Sequence, residues 1–113
     1  MIRSNSGWSV AYRRSAPVFA ALGDETRLNV LGKLSREGPQ SITKLCAGIR
    51  VTRQAVSKHL RVLEEAGLVK SAKDGRESVF SVEPESFERS IHLLELISEG
   101  WNEKLEALRK FVE

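Results

Sequence analysis

The sequence predicts a mainly α-helical domain with one small β-hairpin, in the order helix, helix, helix, tight turn, helix, hairpin, helix. Three observations carry that prediction. Apolar residues recur at steps of three and four along most of the chain, the period of an amphipathic helix. Between Leu68 and Val82 the period drops to two around Asp74-Gly75, the mark of two strands joined by a tight turn. Capping residues and glycines fall where the helical runs start and stop.

Taken in order, residues 1–13 lack an apolar period and read as an N-terminal arm, with Trp8 and Tyr12 as anchors to a domain spanning residues 14–113. Ser15 caps a first short helix to Leu22, Pro17 is tolerated in its first turn, and Gly23 ends it. Asp24 caps a second helix from Glu25 to about Arg36, with Leu28, Val30, Leu31 and Leu34 as its inward stripe. Gly38-Pro39 stops that helix. Gln40 to Ile42 read as a brief extended piece. Thr43 caps a third helix, Lys44 to Ile49, with Leu45 and Cys46 facing inward.

Arg50-Val51 is a tight turn, and Thr52 caps a fourth helix running to about Ala66. Its apolar positions are Ala55, Val56, Leu60 and Leu63, and Gly67 supplies a left-handed residue after its end. The strands follow, and Pro84 then opens a long last helix. Phe87, Ile91, Leu94, Ile97, Trp101, Leu105, Leu108 and Val112 lie along it, mostly three or four residues apart.

Composition narrows the function. The 113 residues are 41% hydrophobic and 29% charged, the balance of a single globular domain. Cys46 is the one cysteine, so no intrachain disulfide can form, which fits a reducing cytoplasm. The longest apolar run, Ala16 to Leu22, falls far short of the roughly 20 residues that span a bilayer. No hydrophobic signal core is visible, so no membrane role and a cytoplasmic location are expected. There is no phosphate loop, nucleophile motif or zinc hydrolase motif, and an enzyme is not expected.

The net charge of +3 is unevenly spread. From Gly38 to Leu63 there are five basic residues (Lys44, Arg50, Arg53, Lys58 and Arg61) and no acidic one. From Glu83 to the end there are eight acidic and four basic residues, a balance of −4. The middle of the chain is therefore the candidate polyanion surface.

A helix, a tight turn and a second amphipathic helix form a helix-turn-helix, and a hairpin directly after it makes a winged version. Val56, Leu60 and Leu63 hold one side of the fourth helix to the body. Arg53, Gln54, Ser57, Lys58 and Arg61 then lie around the other side, where its first turns enter a major groove. Arg53 and Gln54 suit guanine and adenine edges. Ser57, Lys58 and Arg61 suit phosphates. His59 sits between the two sides, as a packed or phosphate-touching residue. Thr43 and Lys44 of the third helix, Thr52 at the cap, and Lys73 and Arg76 in the hairpin complete the candidate DNA-binding set. The partner these residues fit is double-stranded DNA.

Two stretches, "LGDETRLNVLGKL" and "ITKLCAGIRVTRQAVSKHLRVLEEAGLVKSAKDGRESVFSV", resemble the arsenical-resistance repressor (ArsR/SmtB) family of winged-helix regulators. The likeness spans roughly residues 16 to 112, and "AVSKHLRVLEEAGLV" is its most specific part. It implies a recognition helix at 52–66, a wing centred on Asp74-Gly75, a homodimer paired through the first and last helices, and repression of its own or a neighbouring operon. A Gly is common in that family where Arg50 stands. A positive φ at Arg50 would be strained.

Many proteins of that family sense metals, and the residues here depart from their sites. The thiolate pair expected in the third helix has Cys46 in its first position and Gly48 in its second. One thiolate does not hold a soft metal. In the last helix Ser90 stands where an Asp is expected and Glu103 where a second His is expected, leaving His92 with Glu95 or Glu99 as the remnant. The resulting expectation is a repressor of a palindromic operator with no metal and no cofactor. The alternatives are a metal- or redox-responsive repressor acting through His92 or Cys46, and a protein-binding adaptor with no DNA role. Val18, Phe19 and Leu22 of the first helix, with Leu94, Ile97, Trp101, Leu105 and Leu108 of the last, are the candidate dimer contacts. One small domain does not need that much apolar surface on a single helix.

Overall fold

The computed structural model describes residues 2–112, with side chains from residue 9 onward. Helix α1 spans Ile2–Leu22, α2 Glu25–Glu37, α3 Ile42–Ala47, α4 Arg53–Glu65 and α5 Pro84–Val112; strands β1 (Gln40–Ser41), β2 (Val69–Asp74) and β3 (Glu77–Val82) complete the chain. A three-stranded antiparallel sheet ordered β1-β3-β2 accompanies the helices, with β2 exposed beyond Val69. This is the mainly helical winged helix-turn-helix expected from the sequence.

The core lies where α1, α2, α3, α4 and the sheet converge. Val30, Leu45, Val56, Leu63 and Leu68 are fully buried there, with Val18, Ala21, Leu31, Leu34, Leu60, Val69 and Phe80 around them. Helix α4 contributes Val56, Leu60 and Leu63 from one side, the spacing that the sequence predicts.

Several expectations are corrected. The helix predicted from Ser15 starts at Ile2, so the boundary expected at residue 13 falls inside α1. Ser15 is therefore no cap: it is buried, on the same side as Val18 and Ala21. Pro17 sits in the helix interior, where its missing N–H removes the bond to the Arg13 carbonyl. Helix α1 also packs against α5. Tyr12 is exposed, and the anchoring role expected of Trp8 lies outside the described side chains.

Leu28 is half exposed rather than part of the inward stripe. At about 100° per residue it falls off the arc shared by Val30, Leu31 and Leu34. Helix α3 is capped by Ser41, whose hydroxyl accepts from the Lys44 amide, and so begins before Thr43. Arg50 carries no strain, since every positive φ among the described residues belongs to a glycine.

The extended piece before α3 is a strand. Gln40 pairs with Phe80 and Ser41 with Val79, which ties the start of α3 to the wing. In the hairpin Asp74 pairs with Glu77, so Gly75 and Arg76 are the two central turn residues. Only Gly75 has positive φ, the type II′ pattern, and the turn is displaced by one residue from the Asp74-Gly75 centre expected.

The link from α4 to β2 is tight. Gly67, at φ 78°, donates to the Glu64 carbonyl and Leu68 donates to the Leu63 carbonyl. That pair of bonds is a Schellman motif, and the apolar contact that accompanies it joins Leu63 to Leu68, both fully buried. A Cβ at Gly67 would also stand 2.9 Å from Ser86 Oγ on α5. Gly67→Ala should therefore cost about 1–2 kcal/mol from the left-handed backbone alone. Urea unfolding of the two proteins measures this, and an unchanged midpoint would contradict the motif's role.

The molecule is elongated. Its radius of gyration is 18.5 Å, against about 13 Å for a compact chain of this length. The excess comes from α1 and the 29-residue α5, which extend past the core.

Candidate nucleic-acid interface

Helix α4 presents two chemically distinct sides. Its buried side is Val56, Leu60 and Leu63. Its outward side carries Arg53, Gln54, Lys58 and Arg61, all exposed, with Ser57 half-buried between them. Thr52 starts the helix, its hydroxyl accepting from the Ala55 amide at 3.1 Å. No acidic residue occupies the first turn, so the positive end of the helix dipole is left available to an anion. Gln54, Lys58 and Arg61 form no hydrogen bond or ion pair among the described residues, so their donors are open to an incoming partner.

Arg53 is held in place. One guanidinium nitrogen, Nη1, donates to Thr43 Oγ1 at 3.0 Å, joining the first turn of α4 to α3. Both residues line a polar notch of about 200 Å³ together with Ser41, Ser78, Glu77 and Arg76 of the hairpin turn. The fold thus brings Thr43, Arg53 and Arg76 together from three separated stretches of sequence. Lys73 and Lys44 are exposed nearby in the sequence of elements, on β2 and α3. The Lys44 carbonyl accepts from Lys33 Nζ at 2.8 Å. Sequence reading passed over Lys33, because its partner is a main-chain oxygen on another helix.

His59 turns away from the exposed basic side. It is half-buried, with Nδ1 3.3 Å from Arg27 Nη1 and 3.9 Å from Asp24 Oδ2. The Asp24 carboxylate accepts from the Arg27 amide, which holds its pKa below the ordinary value, with the Arg27 and His59 charges adding to the effect. A depressed carboxyl pKa makes this cap a contribution that is present at neutral pH and lost on acidification.

The expected dimer contacts divide. Val18 is taken by the core of its own chain, since α1 turns Ser15, Val18 and Ala21 inward. Phe19 and Leu22 are half-buried. Leu94, Ile97, Trp101, Leu105 and Leu108 are exposed, and Ile91 continues their line on the same face of α5. Phe111 and Val112 extend it to the end of the helix, and Val10 on α1 is exposed as well.

The donor set fits a metal poorly. Cys46 is half-buried against the core and Gly48 offers no second thiolate. His92 is exposed, 4.0 Å from Glu95, and no cluster of three His, Cys, Asp or Glu occurs among the described residues. No helix among the described residues is long and apolar enough to cross a membrane.

A family described as a helix-turn-helix domain matches residues 22–72, from the end of α1 into the wing. The chain is 41% identical over 75 residues to the protein named Uncharacterized HTH-type transcriptional regulator YuzN of Bacillus subtilis (strain 168), covering 59% of this chain and 82% of that one. It is 30% identical over 94 residues to the arsenical resistance operon repressor of Escherichia coli (strain K12), covering 80% and 78%. Among solved structures it resembles an ArsR-like transcriptional regulator from Rhodococcus sp. RHA1, at 39% identity and a TM-score of 0.81, over 90% of this chain and 95% of that one.

Proposed function

The chain belongs to the ArsR family of helix-turn-helix DNA-binding transcriptional regulators, and from that premise we propose that it acts as a metal-independent repressor, binding a palindromic operator as a homodimer. The observation that carries this reading is α4 itself: one side locked into the core, the other offering unengaged donors from Gln54, Lys58 and Arg61. Gln54 and Arg53 are the base readers in this reading, with Thr43 orienting the Arg53 guanidinium. Ser57, Lys58, Arg61 and Lys44 take phosphates on either side of the groove. Thr52 leaves its helix end facing them, and Lys73 and Arg76 reach the backbone from the wing.

Two copies are needed because one recognition helix reads only a few base pairs, and a palindrome repeats its half-site about 34 Å away. The exposed apolar line on α5 and the elongated single chain supply the surface for pairing. Metal independence rests on the poor donor set around Cys46 and His92. The proposed location is the cytoplasm, where the DNA is.

Fluorescence anisotropy with the DNA upstream of the protein's own gene tests the reading. Gln54→Ala should cost about 1–3 kcal/mol and relax preference at one base position. Lys58→Ala should weaken every sequence alike and lower the salt slope by about one. If Gln54→Ala and Arg53→Ala both left affinity and preference unchanged, α4 would not be the reading helix. Operator release on adding zinc would overturn metal independence alone.

A further inference from the structure

Helix α4 meets α1 along a thin seam. A groove of about 290 Å³ runs between them, lined by Pro17, Ala20 and Ala21 on one side and Val62, Glu65 and Ala66 on the other. The groove leaves part of the space between the two helices unfilled, while Val18 and Ala21 of α1 stay packed in the core with Val56, Leu60 and Leu63. Arg27 crosses at the edge of this seam. Its Nε donates to the Ala21 carbonyl at 2.7 Å and its Nη2 to the Ala20 carbonyl at 3.4 Å. Both carbonyls lie in the last turn of α1, where the Ala20 oxygen also accepts from the Gly23 amide at 3.2 Å. The remaining arm, Nη1, meets His59 Nδ1 on α4. Its main-chain amide is fixed by Asp24, so the side chain springs from an anchored base.

We propose that Arg27 is the positioning residue of the recognition helix, gripping the end of α1 with two arms of its guanidinium and setting α4 through His59 with the third. The inference rests on the reading of α4 as the DNA-reading element. A guanidinium has no lone pair to offer, so His59 Nδ1 must accept. The geometry agrees: Arg27 is the nearer neighbour of Nδ1, and the Asp24 oxygen at 3.9 Å is beyond hydrogen-bond range. The ring proton of neutral His59 then sits on Nε2. Arg27 thus adds a polar link between the end of α1 and α4 beside the apolar core that Val18 and Ala21 share with Val56, Leu60 and Leu63.

Two measurements test this. The first is the 15N spectrum of the His59 ring in the free protein. The bridge requires an unprotonated Nδ1 and a protonated Nε2 at neutral pH, with the preference lost in Arg27→Met. The second is operator affinity in a substitution series. His59→Asn keeps an acceptor where Nδ1 stands, whereas His59→Gln puts its amide where Nε2 stands. Arg27→Met and His59→Gln should each lower operator affinity about tenfold, a common size for coupling between sites. The double variant should be no worse than either single one, because both remove the same link. His59→Asn should bind like the native protein. Binding to unrelated DNA, which depends on phosphates, should stay within about twofold throughout.

A ring proton on Nδ1 would overturn the proposal whether or not the protein binds DNA. So would rescue by Gln with loss by Asn, which would mean that His59 acts outward on DNA. An intact tautomer in a protein that binds no operator would overturn it through its premise, and the spectrum tells that failure from the first.

Discussion

Trp101→Glu combined with Leu105→Glu is expected to split the proposed homodimer and lower operator affinity at least about 100-fold. Both side chains are exposed in the single chain, 61% and 46%, so the charges cost the subunit's own fold little. In the proposed dimer they are covered, and burying an unpaired carboxylate costs several kcal/mol. The native pair instead contributes about 1.5–3 kcal/mol for each large apolar side chain covered. Losing the second recognition helix then removes half the contacts to the palindrome. Sedimentation velocity reads the first effect and fluorescence anisotropy the second, with circular dichroism checking that the helices persist. A variant that stayed dimeric would place the pairing surface elsewhere.

Leu60→Ala is the largest expected effect on stability. Leu60 is 2% exposed, between Val56 and Leu63 on the buried side of α4. Truncating a buried leucine costs about 2–5 kcal/mol, the loss of transfer energy plus the cavity left behind. Against a total of about 5–15 kcal/mol for a domain, that is a substantial share. Urea unfolding should show the midpoint falling with its slope unchanged. By contrast Lys58→Ala, on the opposite side of the same helix, should leave the midpoint alone. If the two substitutions shifted it equally, the division of α4 into a packed and a reading side would be wrong.

That division is legible in the sequence because everything defining it is local. Val56, Leu60 and Leu63 repeat at helical spacing, Thr52 caps, and Gly67 terminates. Signals that depend on distant partners were not legible. The pairing of Gln40-Ser41 with Val79 and Phe80 spans about a third of the chain, and two residues carry no period of their own. The start of α1 was missed because residues 2–13 have no apolar rhythm; their helix continues one that is fixed further along by Val18 and Ala21. Ser41 and Thr43 are both good caps, and only the strand pairing of Ser41 decides between them.

The same limit explains the candidate site. Arg53, Gln54, Lys58 and Arg61 announce themselves by type and spacing. The meeting of Thr43, Arg53 and Arg76 in one notch depends on how the wing folds back. Arg27 looks like any charged residue on an exposed helical turn, since two of its three side-chain partners are main-chain oxygens and the third lies 32 positions away. Leu28 misleads for a simpler reason: it is apolar, next to the stripe, and just outside its arc.

The II′ geometry of the hairpin gives position 76 a freedom that its neighbour lacks. Gly75 alone bears the left-handed conformation, so the residue after it sits in backbone space open to any L-amino acid. Exchanging Arg76 for a neutral or acidic residue therefore leaves the loop backbone unstrained and changes the charge and lining of the notch it shares with Thr43 and Arg53. On the proposed reading, the crest of that hairpin is a place where substitution can tune grip on nucleic acid at little cost to the loop's backbone.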